Sequence, residues 1–175
     1  RFEFCVVAGP AVDAKDFKQL DFAQFVAWLK ANPDKATFGV PSNGTIPHFT
    51  GSRLEQVLGV PLTRVAYRGG APIINDLVGG HLPFGVTTIA DAIPQHRSGG
   101  IKILAVSSEA RSPFLPEVPT VAELGGPGYE IDVWFGLFAP AKTPADILAR
   151  LNAEAVNYLS SPAAREVYGK VGHEP

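Results

Sequence analysis

The chain has 175 residues, 46% of them apolar and 18% charged, the composition of a globular domain and not of a disordered segment. Fifteen Lys and Arg stand against 17 Asp and Glu, a net charge of −2, so no general positive field draws it to nucleic acid or an anionic membrane surface. No apolar run is long enough to span a bilayer as a helix, the single cysteine excludes an internal disulfide, and one cysteine with four histidines gives no structural zinc spacing. With Arg1 first, no methionine and no signal sequence, the chain reads as a processed chain or a fragment.

Taken in chain order, the apolar stretch Phe2–Ala8 predicts a strand closed by Gly9 and Pro10. Residues 21–31 predict a helix, with Phe22, Phe25, Val26 and Leu29 on one face and Asp21 as its N-cap. Three units of one form follow. Thr37–Val40 is a short strand, then Pro41-Ser42-Asn43-Gly44-Thr45, then a helix to about Leu58. Residues 63–67 are a strand, then Arg68-Gly69-Gly70-Ala71-Pro72, then a short helix to Val78. Residues 82–86 are a strand, then Thr87-Thr88, then a helix to about Arg97. The run 101–107 has the nearly continuous apolar character of a buried parallel strand. A proline-rich stretch leads to a turn at 120–124 and a long strand over 129–140. A helix then starts after Thr143, with Pro144 in its first turn and Thr143 and Asp146 forming a capping box. Ile147, Leu148, Leu151, Ala155 and Leu159 form its apolar stripe. Pro162 opens a last helix to about Val171.

Alternating strands and helices predict an α/β domain with a mostly parallel sheet flanked by helices. In such a sheet the loops at the carboxyl ends of the strands converge, and ligands bind there. Each helix that follows presents free N–H groups and a partial positive charge at its start, which suits an anion. The candidates are therefore Ser42, Asn43, Gly44, Thr45 and His48 in the first group, Tyr67, Arg68, Gly69 and Gly70 in the second, and Thr87 and Thr88 in the third. Tyr67 ends a strand and can aim its hydroxyl into a cleft, while Gly69 and Gly70 can offer backbone N–H groups. Each group also has a plain structural reading: Thr45 as a helix cap, His48 as a packing residue, Arg68 as a solvated side chain beside a tight turn, Thr88 with Asp91 as a capping box. Gly39 to Gly44 has P-loop spacing, but Thr45 stands where the phosphate-binding lysine belongs, which rules out that motif. No nucleophile elbow, HExxH motif or paired catalytic acids is evident. Cys5, inside an apolar strand, reads as inert core; His81, His96 and His173 read as surface residues. Trp28 reads as core, and Trp134 as core or the wall of a cleft.

The run FGVPSNGTIPHFTGSRLEQVLGVPLTRVAYRGGAPIINDLVGGHLPFGV and its continuation IKILAVSSEARSPFLPEVPTVAELGGPGYEIDVWFGLFAPAKTPADILARLNAE resemble the extracytoplasmic solute receptors of tripartite tricarboxylate transporters, the Bug family with TctC as prototype. The motifs NGTxPH, YRGGAP, RSPxLPxVPTVAE and WFGLFAPAxTP carry the resemblance together, across nearly the whole chain. It implies a lobe of the type II periplasmic-binding-protein fold, from a protein in which two lobes joined by crossing strands close on a ligand. Residues 9–131 would form the second ligand-binding lobe. Residues 1–8 and 132–175 would supply the crossing strands and the C-terminal part of an incomplete first lobe.

By the same resemblance, the function is capture of a small carboxylate in the bacterial periplasm for the membrane permease subunits of a transporter. There is no catalysis and no cofactor, metal or nucleic acid, and the full-length protein is a monomer. The family's second-lobe contacts fall on the three groups already named. A ligand-sensing component of a membrane signalling system is the alternative; an enzyme on the same lobe would have only His48 as a base. Relatives commonly read GQVDxMFDN where this chain has Pro83 and Thr87 in the two acid positions. A cleft that has lost the acid at Thr87 would favour a plain carboxylate over an amino acid.

Overall fold

A computed structural model describes residues 2–13, 17–126, 128–170 and 172–175, with only the backbone of Asp132. The chain divides into two compact units, one of residues 3–132 and one of Phe2 with residues 133–175.

The larger unit holds β1 (Phe2–Ala8), α1 (Phe22–Ala31), β2 (Thr37–Val40), α2 (Ile46–Leu58), β3 (Thr63–Ala66), α3 (Gly70–Val78), β4 (Phe84–Thr88), α4 (Ile89–Ser98) and β5 (Lys102–Val106). The sheet order is β3-β2-β4-β1-β5. β2 pairs in parallel with both β3 and β4, because a helix carries the chain back after each strand. β1 is inserted antiparallel between β4 and β5. The sheet is thus mixed: β2, β3 and β4 pair in parallel as the sequence pattern predicts, whereas β5, expected to be a parallel strand, has the antiparallel β1 as its neighbour. The central strands β1 and β4 are buried almost throughout, whereas the edge strand β3 is exposed along its length. Asp21 caps α1 as expected: its Oδ1 accepts from the Gln24 N–H at 2.7 Å, and Gln24 Oε1 accepts from the Asp21 N–H at 3.1 Å.

Register decides how the helices seat. Phe38 and Phe84 are cross-strand partners, stacked at 5.8 Å, and Phe25 of α1 meets Phe84 edge-on at 5.0 Å. Gly39 and Gly85, the next pair in the same register, face the other side of the sheet. A Cβ on Gly85 would lie 2.9 Å from Ile73 Cγ2, and one on Gly39 3.4 Å from the same atom. Ile73 therefore sits in a notch left open at Gly85, while Gly39 chiefly makes room for Leu82 and Tyr67, whose side-chain atoms would lie 2.7 and 3.1 Å from an added Cβ. With Ile74 and Leu77 it buries the apolar face of α3.

Several expectations are corrected. The strand foreseen over 129–140 is reduced to β6 (Asp132–Val133), which pairs with β1. Beyond it Trp134, Phe135, Leu137 and Phe138 are 68–80% exposed; a strand without partners for its backbone groups does not persist in water. Trp134 is thus not core. Tyr129 is a fully buried anchor whose hydroxyl donates to the Thr50 carbonyl at 2.9 Å. β4 begins at Phe84 rather than residue 82, because the N–H groups of His81 and Leu82 close a turn on the Asp76 carbonyl and Pro83 has no N–H to give. Trp28 is only half-buried. His96 is not a surface residue: it is half-buried, its Nδ1 accepts from the Ile103 N–H at 3.2 Å, and burial with the nearby Lys102 holds its pKa below the usual value. Cys5 is core, and burial drives its thiol pKa far upward.

The smaller unit contains α5 (Ala145–Leu159) and α6 (Pro162–Lys170). The expected end near Val171 lies outside the described residues. Pro144, not Thr143, occupies the cap of α5, and no side chain caps it; a turn bond from the Thr143 N–H to the Pro140 carbonyl holds Thr143 outside the helix. The stripe Ile147, Leu148, Leu151 and Leu159 is present but 37–47% exposed, and α5 buries none of its residues. Phe2 stacks on Phe135 at 5.2 Å. No helix among the described residues is long and apolar enough to cross a membrane.

The notch predicts a coupled pair. Gly85→Ala should cost about 1–3 kcal/mol by overpacking, and Ile73→Ala about 2–5 kcal/mol through the cavity it leaves. The double variant should lose less than the sum, because the added methyl enters the vacated space. Denaturant unfolding of the four proteins measures this, and strict additivity would show that the notch does not seat α3.

Candidate functional site

β2, β3 and β4 run in one direction, so the loops that leave their carboxyl ends share one edge of the sheet. Backbone bonds fix them there. The Tyr67 N–H donates to the Val40 carbonyl at 2.9 Å and the Gly69 N–H to the Pro41 carbonyl at 3.1 Å, which ties the second loop to the first. The third joins through Gly70, where an added Cβ would lie 2.1 Å from Asp91 Oδ2 and 2.7 Å from Thr87 Oγ1. The three predicted groups therefore do come together.

Their polar atoms divide into those that hold the loops and those that face outward. In the first loop the Gly44 N–H donates to His48 Nδ1 at 3.0 Å, and the Thr45 hydroxyl donates to the Ser42 carbonyl at 3.0 Å. Arg64 of β3 lies against His48 Nε2. His48 thus braces the loop from within, between α2 and the edge strand. Ser42 and Asn43 are exposed. The first N–H groups of α2, on Ile46 and His48, have no carbonyl one turn earlier to bond. Thr45 is the N-cap residue, but its side chain makes no capping bond.

In the second loop the Tyr67 hydroxyl, expected to point into a cleft, donates to Asp76 Oδ2 of α3 at 2.8 Å. Burial first, and then this bond, push the Tyr67 pKa from 10 up to about 12. Gly69 has φ 104° and ψ 179°, a conformation essentially closed to other residues. Its N–H is taken by Pro41, so Gly70, the first residue of α3, is the one that can present an N–H. Arg68 is exposed.

In the third group Thr87 is completely buried and Thr88 partly so. Both hydroxyls donate to Asp91 Oδ2, at 2.9 and 2.8 Å, and the Asp91 N–H donates back to Thr88 Oγ1 at 3.3 Å. Thr88 is the N-cap of α4, as its structural reading requires. Sequence reasoning did not link Asp91 to Thr87. Its only signal was the Thr-x-x-Asp spacing, which reads as a cap. The Asp91 carboxylate, four residues on, lies in hydrogen-bond contact with Thr87. Arg64 was also missed, since nothing local links it to His48. Among the described residues no group of three or more His, Cys, Asp or Glu could hold a metal ion.

Residues 3–175 match the tripartite tricarboxylate transporter family receptor, TctC. Among solved structures, Rpa4515 of R. palustris with adipate superimposes with a TM-score of 0.84 at 28% identity, over 100% of this chain and 57% of that one. MatC from Rhodopseudomonas palustris with bound malate gives 0.79 at 28% identity, over 99% and 58%. The periplasmic binding protein BugD gives 0.79 at 29% identity, over 99% and 56%. The chain spans about half the length of the curated relatives it matches.

The Tyr67 bond has a pH signature. Its raised pKa favours the neutral phenol in the folded state, so the associated stability is complete below pH 10 and is lost as pH rises from 10 towards 12. Tyr67→Phe should be less stable by about 0.5–1.5 kcal/mol at neutral pH, and the gap between the two proteins should close over that alkaline window. Urea unfolding at pH 7, 10 and 11.5 checks it; a gap that does not narrow would mean the hydroxyl does not bond Asp76.

Proposed function

The chain belongs to the tripartite tricarboxylate transporter receptor family, and on that premise we propose that it forms the second lobe, with part of the first, of a receptor that captures a small carboxylate. Residues 9–131 are the second lobe in this reading. Residues 1–8 and 132–175 are the crossing strands and the C-terminal part of the first lobe. The exposed stripe of α5 and the exposed aromatics after β6 support this, since relatives about twice as long have further chain to cover such surfaces.

The observation that carries the function is the gathering of three loops at one edge of parallel strands, in a fold whose solved relatives hold malate and adipate. The ligand carboxylate sits against the first loop. Ser42 and Asn43 donate from their side chains and the start of α2 from its backbone N–H groups, while Gly70 lines the neighbouring corner beside Asp91. Arg68 adds positive charge at the rim. Gly44, Thr45, His48, Tyr67 and Gly69 hold these donors in place through the bonds described above, and Thr87 and Thr88 shape the far side. Bridging water completes the contacts.

The receptor works in the periplasm, as BugD does by its description, and delivers ligand to membrane permease subunits. It is a binding protein rather than an enzyme, in keeping with a family of receptors.

The test is thermal unfolding of the complete two-lobed receptor with mono-, di-, tri- and aromatic carboxylates. A ligand at a hundred times its dissociation constant adds about 2.7 kcal/mol of stability. Asn43→Ala should then weaken the best ligand by roughly 10- to 100-fold, the worth of a hydrogen bond to a charged group. No shift with any carboxylate would overturn the receptor reading.

A further inference from the structure

We propose that Asp91 faces the ligand, and that it makes the corner between α3 and α4 select carboxylates that also carry a hydrogen-bond donor: a hydroxyl or, more strongly, an ammonium. This rests on the receptor reading above and specifies its ligand class.

The first observation is fixation. Asp91 is the third residue of α4, and its Oδ2 accepts from both Thr87 and Thr88. Two hydroxyls on one oxygen, with the Asp91 N–H returned to Thr88, hold the carboxylate in one orientation. Gly70 leaves the space it occupies. A Cβ there would stand 2.1 Å from Oδ2 and 2.5 Å from Cγ, so the carboxylate is packed against the first residue of α3.

The second observation is which polar capacity remains. Thr87 and Thr88 each have one hydroxyl proton, and both protons go to Asp91. Neither side chain can then donate to a ligand carboxylate. An ionised carboxylate only accepts. Both hydroxyl bonds fall on Oδ2, Oδ1 accepts none among the described residues, and Asp91 is exposed. What this corner offers a ligand is therefore chiefly an acceptor with a full negative charge.

The third observation is charge placement. A fixed anion at the starts of α3 and α4 neutralises the positive ends of both helices. An incoming carboxylate meets like charge there, whereas the first loop, with Ser42, Asn43 and the start of α2, has no acid within it. A carboxylate is thus directed to the first loop and a donor group to Asp91. The expectation of a plain carboxylate, drawn from the absent acid at Thr87, is reversed by the acid that Thr87 itself holds.

The experiment is calorimetric titration of the complete receptor with two matched sets, succinate, malate and aspartate, and adipate and 2-aminoadipate. Wild type and Asp91→Asn are compared; the asparagine keeps an oxygen to accept from both threonines while removing the charge. Wild type should bind the hydroxylated or aminated member of a set at least tenfold more tightly than the plain one. Asp91→Asn should reduce that preference at least tenfold while retaining the plain acid. A wild type that prefers the plain acid, or an equal preference in both proteins, overturns the proposal and leaves the receptor reading standing. Failure of every acid to bind wild type overturns both. Should the asparagine variant not fold, Asp91→Ser, which keeps a small oxygen-bearing side chain, takes its place, and the wild-type comparison already decides against the proposal if the plain acid wins.

Discussion

The seating of Ile73 in the notch at Gly85 is the contact that lets α3 lie close to the sheet. Glycine at this position removes the side chain that would otherwise hold α3 away from the sheet. Ile73 is fully buried there, and with α3 drawn in, its first residue meets the first turn of α4. At the start of that helix Gly70 lies against Thr87 and Asp91. A methyl group in the notch would disturb the packing of the core and the geometry of the site together.

The site is built almost wholly from short-range bonds that keep loops in shape. Gly44 with His48, Thr45 with Ser42, Gly69 with Pro41, and Tyr67 with Asp76 each use a polar group that sequence reading had offered to a ligand. Such bonds fix the remaining donors in advance, so binding need not order the loops and loses less free energy in doing so. A few groups, chiefly the exposed Ser42 and Asn43 and the helix starts, stay outside these bonds, and in the proposed reading they are given to the ligand. In the proposed reading Asp91 adds a fixed negative charge beside them, which repels one ligand group as it attracts another.

The two units differ in how far they satisfy themselves. The larger has a continuous core, running from Val7 on β1 through Ile73 and Leu77 to Val118. In the smaller, α5 has the amphipathic spacing of a core-facing helix and buries nothing. Helical periodicity states that one face needs cover, without stating what covers it. The aromatic run after β6 shows the same limit for strands: the residues favour extended structure, but without neighbours to bond their backbone they form none.

The sequence by itself determined the order of elements from β2 to α4, the parallel pairing of β2, β3 and β4 and the three loops that gather at their ends. These follow from hydrophobic period, from capping residues such as Thr88, and from helices that return the chain between β2, β3 and β4; the antiparallel insertion of β1, despite α1 between it and β2, is not legible in that pattern. Its motifs also carried the family. The tertiary structure alone decided the direction of individual polar groups, because a hydroxyl or carboxylate is oriented by whatever lies nearest in space. Tyr67 bonds Asp76 across nine residues, His48 meets Arg64 across sixteen, and Gly70 meets Asp91 between two helices. No local pattern encodes those meetings. They arise once the sheet register and the notch for Ile73 have set how closely the helices approach.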